Sequence, residues 1–140
     1  MHVSEDEELE RLIQRKLARM LAKPAEAPSR PIVHRVDRRA LKRLVDQNRI
    51  LVLHLFTSNC PACHTYAPAF HQVAAKYGDR VAFAELNLDE DPALASYMGV
   101  QAVPTTLFFV DGREVHRIVG AVAASHLSGI LDQILARYAR

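Results

Sequence analysis

Apolar residues follow two different rhythms along this chain, and the change between them divides it. Between residues 4 and 23, Leu9, Leu12, Ile13, Leu17, Met20 and Leu21 recur three or four apart, which places them on one face of a helix. Ser4 followed by Glu7 has the form of a capping box, whose two side chains satisfy backbone N–H groups left open at a helix start. Acids crowd the first turns and bases the later ones, an order that complements the helix dipole. The next segment, "KPAEAPSRP", has three prolines in nine residues and reads as a linker. The sequence therefore predicts an N-terminal amphipathic helix and linker over residues 1–31, and a domain over residues 32–140.

Within the domain the pattern alternates between short apolar runs and helical spacing. "IVHRV" predicts a short strand, and Asp37 can cap a helix through about Gln47. "ILVLHLF", residues 50–56, is an almost continuous apolar run whose single polar member is His54. Such a run predicts a strand buried on both faces. Cys60 to about Tyr77 reads as helix with Pro68 inside it. "VAFAELNL", residues 81–88, predicts a second buried strand, and "DPALASYM" a short helix with Pro92 near its first turn. "TTLFFV" and "EVHRIVG" flank Asp111–Gly112, a hairpin signal. From Ser125 onward Leu127, Ile130, Leu131, Ile134 and Leu135 form a last amphipathic helix. Helix-linked strands imply parallel pairing, and the final hairpin adds an antiparallel pair. The fold class expected is α/β, a mixed sheet with helices on both faces.

Composition and charge then remove several functions. The 140 residues are 49% apolar and 24% charged, an ordinary globular balance. A net charge of +2, with no basic cluster among aromatics, gives no case for nucleic acid. No apolar run approaches the roughly 20 residues that a bilayer requires. The charged N-terminus lacks the apolar segment of a secretory signal, so the expected location is the cytoplasm. Two cysteines in that compartment point to catalysis or metal binding more than to a structural crosslink.

Both cysteines lie in "FTSNCPACH", Phe56 to His64. The Cys60-x-x-Cys63-His64 spacing matches a haem attachment pattern, yet c-type haem is attached outside the cytoplasm and its pocket would interrupt a strand-rich core. Zinc in a structural site needs four ligands, and the pair supplies half. His64 and His71 share a helix face and His54 lies upstream, but no second CxxC or HxxxH pair completes a set. No metal is therefore expected. A redox couple fits better. Cysteines three apart on a first helical turn sit about 5 Å apart at Cα, within disulfide range. The helix N-terminus beside Cys60 favours its thiolate, and Pro61 suits an opening turn whose N–H would go unpaired.

These residues together resemble the thioredoxin family over roughly residues 32–140. The buried strand "ILVLHLF" leads into "CPAC" at a helix start; Pro68 falls eight residues after Cys60; "VPT" (Val103, Pro104, Thr105) precedes a strand; "VDGREVHRIVGA" matches a hairpin and the glycine after it. The resemblance implies a thioredoxin fold and a thiol–disulfide oxidoreductase that reduces protein disulfides. It implies Cys60 as the attacking thiol at the surface and Cys63 as the resolving thiol beneath it. Pro104 is implied to be a cis-proline, Val103 to offer its backbone to an extended substrate, and Gly120 to leave room beside it, with Pro61 bordering the same surface. The implied partners are protein disulfides and a thioredoxin reductase as electron donor, with no bound cofactor. Asn59 stands where the family usually has Trp, and Pro-Ala replaces Gly-Pro between the cysteines. His54 stands where the family has a buried aspartate, and Glu85 where a lysine is usual. His54 is thereby a candidate proton acceptor for Cys63. Two other roles stay open: a more oxidising or isomerase-like exchange protein, and a non-enzymatic adaptor. Residues 4–23 are a candidate surface for a partner or a dimer.

Overall fold

The computed structural model describes residues 5–26 and 32–139, the first helix as backbone only beyond Arg19. It divides into two compact units, Met1–Pro31 and Ile32–Arg140. In the first, helix α1 spans Glu5–Glu26 with acids filling its first turn. It runs three residues past the expected end at residue 23. Pro24 removes one backbone bond, but Ala25 and Glu26 are good helix formers and the helix carries on. The capping residue Ser4 and linker residues 27–31 lie outside the described residues. Leu9, Leu12, Ile13 and Leu17 are all exposed.

The second unit runs β1 (His34–Arg35), α2 (Arg38–Gln47), β2 (Ile50–Phe56), α3 (Pro61–Tyr77), β3 (Ala82–Asn87), α4 (Pro92–Met98), β4 (Thr105–Val110), β5 (Arg113–Val119) and α5 (Ala124–Arg137). The Asp37 carboxylate caps α2 by accepting from the Ala40 N–H at 2.8 Å. The sheet order is β1-β3-β2-β4-β5. Strand β2 pairs in parallel with β3 and antiparallel with β4, so it lies in the middle. Asp111 (φ 51) and Gly112 (φ 80) make a two-residue turn between β4 and β5 whose positive φ values match the twist of the hairpin.

Alternation along β2 assigns the two faces. Ile50 and Val52 pack with Tyr66 and Phe70 of α3 and Leu127 and Leu131 of α5. Leu51, Leu53 and Leu55 pack with Leu41 of α2 and Leu94 of α4 on the other side. Helices thus cover both faces of the sheet. Two local features were not expected: a short 3₁₀ turn at Leu88–Glu90 and a register shift between Phe108 and Phe109. The consequence for function is positional. The loop leaving β2, the middle strand, delivers Cys60 to the N-cap of α3.

Candidate active site

Cys60 is the N-cap of α3, in extended conformation, and Pro61 opens the helix. A proline there loses nothing, because the N–H it lacks would have had no partner. Cys60 and Cys63 form a disulfide with their Cα atoms 5.2 Å apart. The Cys63 N–H donates to Cys60 Sγ at 3.1 Å. An open helix N–H aimed at sulfur favours the thiolate when the pair is reduced. Cys60 is only 7% exposed and Cys63 3%. Cys60, expected at the surface, is thus buried almost as fully as Cys63, and the Val103 carbonyl lies 3.8 Å from its Sγ.

The loop ahead of Cys60 is held from below. The Ser58 N–H donates to Asp89 Oδ2 at 2.8 Å, and Asn87 Nδ2 donates to Ser58 Oγ at 2.9 Å. The Asp89 N–H in turn donates to Asn87 Oδ1 at 2.9 Å. His64 adds a clamp from the helix side, its Nε2 lying 3.1 Å from the Ser58 carbonyl. A carbonyl only accepts, so Nε2 carries the hydrogen. Sequence reasoning passed over Ser58, Asn87 and Asp89. Their signal was weak: short polar residues after two buried strands, 31 positions apart for the Ser58–Asp89 bond.

Opposite the sulfurs, the Val103–Pro104 bond is cis. Thr105 Oγ1 donates to the Ala102 carbonyl at 2.6 Å and fixes this loop. The Gly120 N–H donates to the Pro104 carbonyl at 2.7 Å. Gly120 has φ +96, and a Cβ there would meet no atom within 4 Å, so the glycine serves backbone conformation beside open space. Cys60, Pro61, Val103, Pro104 and Gly120 are therefore gathered around one surface.

His54 lies elsewhere. It is 1% exposed, in register with Glu85 on β3 and Thr106 on β4. Rings of Phe56, Tyr66 and Phe70 surround it at centroid distances of 5.5, 5.1 and 5.2 Å. Neither ring nitrogen has a hydrogen-bond partner, so no hydrogen bond joins it to Cys63. Nδ1 is 3.9 Å from Glu85 Oε2, beyond hydrogen-bond length. The Glu85 carboxyl is held down at about 2, foremost by the facing His54 imidazole, then by His71 and Arg35, against burial, which raises it. His71 Nε2 meets Oε2 at 3.2 Å and Arg35 Nε meets Oε1 at 3.4 Å. The Tyr66 hydroxyl is hydrogen-bonded to Thr106 Oγ1, at 2.8 Å. His64 and His71 face different partners, and among the described residues no three His, Cys, Asp or Glu side chains are grouped to hold a metal ion.

The thioredoxin family model matches residues 32–133. The chain belongs to the thioredoxin family. Thioredoxin M-type of the Chlamydomonas reinhardtii chloroplast is 32% identical over 127 residues, covering 84% of this chain and 91% of that protein. Thioredoxin 1 of Synechococcus elongatus is 38% identical over 76 residues, covering 54% of this chain and 71% of that one. Among solved structures, mitochondrial thioredoxin 3 of Saccharomyces cerevisiae in its oxidised form superposes with a TM-score of 0.64 at 27% identity, covering 71% of this chain and 94% of that one. The chain thus has the thioredoxin fold, and its chemistry is that of a thiol–disulfide oxidoreductase.

Proposed function

We propose that this thioredoxin-family protein reduces disulfides in other proteins, with Cys60 as the attacking thiol and Cys63 as the resolving one. The observation that carries the reading is the Cys63 N–H aimed at Cys60 Sγ from the start of α3. The Cys60 thiolate attacks one sulfur of a substrate disulfide; that S–S bond breaks and the other substrate sulfur leaves as thiolate. Cys63, once deprotonated, attacks Cys60 Sγ and displaces the second substrate thiolate. Two electrons have then passed to the substrate, and Cys60–Cys63 is oxidised. A thioredoxin reductase returns it to the dithiol, and the protein needs no bound cofactor. The substrate segment lies extended along Val103, with Pro61, Pro104 and Gly120 bordering it. A cytoplasmic, reducing setting suits this direction of electron flow.

His54 is the proposed proton acceptor for Cys63. Burial raises the pKa of a thiol and keeps it protonated, and a neutral imidazole accepts a proton near neutral pH. What supports the role is shared placement. His54 packs on Tyr66 and Phe70, and Cys63 lies on the same buried face of α3 one turn before Tyr66.

Insulin reduction in the presence of dithiothreitol tests the reading. Cys60→Ser reduces the rate to background, whereas Cys63→Ser attacks and then accumulates as a mixed disulfide, seen by mass spectrometry. Adducts forming on Cys63 of the Cys60→Ser protein at wild-type rate would reverse the order. The Pro61–Ala62 dipeptide, standing in place of the family's Gly-Pro, leaves a second reading open, a more oxidising exchange protein. A redox titration separates the two: a midpoint near about −270 mV supports the reductant, and one near about −120 mV the oxidant.

A further inference from the structure

A buried imidazole with both nitrogens unpartnered gives up its hydrogen bonds to water and gains none in the protein, which destabilises the fold. Such a group calls for an explanation. His54 is that group, and every neighbouring element limits what it can meet. On its own strand Phe56 covers one side. From α3, Tyr66 and Phe70 present ring carbons, since the Tyr66 hydroxyl is already joined to Thr106 of β4. From β3, Glu85 offers an acceptor, its Oε2 facing Nδ1 at 3.9 Å. That oxygen is already claimed. His71, one residue after Phe70 on α3, reaches it at 3.2 Å from a side chain 48% exposed to solvent. Arg35 from β1 takes the other oxygen, Oε1, at 3.4 Å.

We propose that His71 sets the proton affinity of His54, because the two histidines compete for the same oxygen of Glu85. The inference rests on the reading of His54 as the proton acceptor and names the residue that tunes it. Uncharged, His71 donates its Nε2–H to Oε2 and draws off the lone pairs that His54 Nδ1–H would use. Charged, it also cancels much of the carboxylate field that would stabilise a His54 imidazolium. In either state its presence lowers the affinity of His54 for a proton, and its removal raises it. Because one ring is buried and the other reaches solvent, the pH of the medium reaches the interior through His71. His71 is thus a positioning residue: it touches neither sulfur nor substrate, and acts only through Glu85.

The test is a titration of the imidazole ring signals of the reduced full-length protein by NMR, comparing wild type with His71→Leu and His71→Gln. Removing the donor in His71→Leu moves the His54 midpoint up by about one pH unit. His71→Gln keeps a donor toward Oε2 without the charge, so its shift goes the same way and is smaller. Glu85→Gln moves the midpoint down. A His54 midpoint that stays in place in both His71 variants overturns the inference, as does a His54 that fails to titrate between pH 4 and 9 in every protein. Rapid-quench measurement of mixed-disulfide resolution supplies the second readout, its pH midpoint following that of His54. Ring signals that shift as expected while resolution keeps its pH profile would support the coupling and remove His54 from the reaction. The tuning and the catalytic reading therefore fail separately.

Discussion

Helix α5 sets Leu127, Leu131 and Ile134 on one face, and all three are buried against α3 and the sheet. Helix α1 sets Leu9, Leu12, Ile13 and Leu17 on one face in the same rhythm, and they are 57%, 60%, 49% and 46% exposed. The periodicity is alike and the outcome opposite. An apolar stripe specifies the helix and the side that seeks cover, while the cover itself comes from whatever the rest of the chain presents. In α5 that cover is the sheet face carrying Ile50 and Val52, completed by Phe70 and Phe108.

The comparison breaks most visibly in the core. Leu131→Ala removes a fully buried side chain and lowers unfolding free energy by about 2–5 kcal/mol. Leu12→Ala in α1 changes it by less than about 0.5 kcal/mol. Urea unfolding of the full chain measures both, and equal losses would erase the distinction between the helices. A subtler asymmetry lies in acid. The Glu85 carboxyl is lowered to about 2 from an ordinary 4.5, so its contribution to stability is present above pH 4.5 and is lost as pH falls toward 2. The gap in urea midpoint between wild type and Glu85→Gln therefore narrows from pH 5 to pH 2. A gap that stays constant over that range would show that Glu85 titrates normally in the fold. The smallest effect is expected from deleting residues 1–31. Insulin reduction then stays within about twofold of the full chain, because the domain has its own core. A truncated protein that cannot fold would give α1 a place in that core.

Much of this architecture is legible along the chain because each signal is local. β2 coincides with its apolar run, Asp37 caps α2, and Asp111–Gly112 turns the hairpin. The cysteine pair is legible for the same reason, both residues falling within one helical turn. The contacts under the site are not. Glu85 meets His71 across 14 positions and Arg35 across 50, and Ser58 meets Asp89 across 31. Nothing in the spacing of those residues announces the encounter, which depends on sheet order and on the rotation of α3. His54 shows the boundary between the two kinds of information. Its burial follows from the run that contains it, whereas the absence of any hydrogen-bond partner follows from Phe56, Tyr66 and Phe70 closing around it.

The hydrogen bonds beneath Ser58 have a mechanical consequence. In the reaction proposed above, a partner protein would hang from Cys60 by a single covalent bond, and its tumbling would pull on the loop with long leverage. The loop is anchored by more than its own peptide links, since Ser58 is also tied to Asp89 and Asn87 at the end of β3. A tug on Cys60 is thus shared between two neighbouring strands of the sheet. On the proposed mechanism the load would reach the first turn of α3 already spread, and Cys63 would keep its line of attack while the cargo swings.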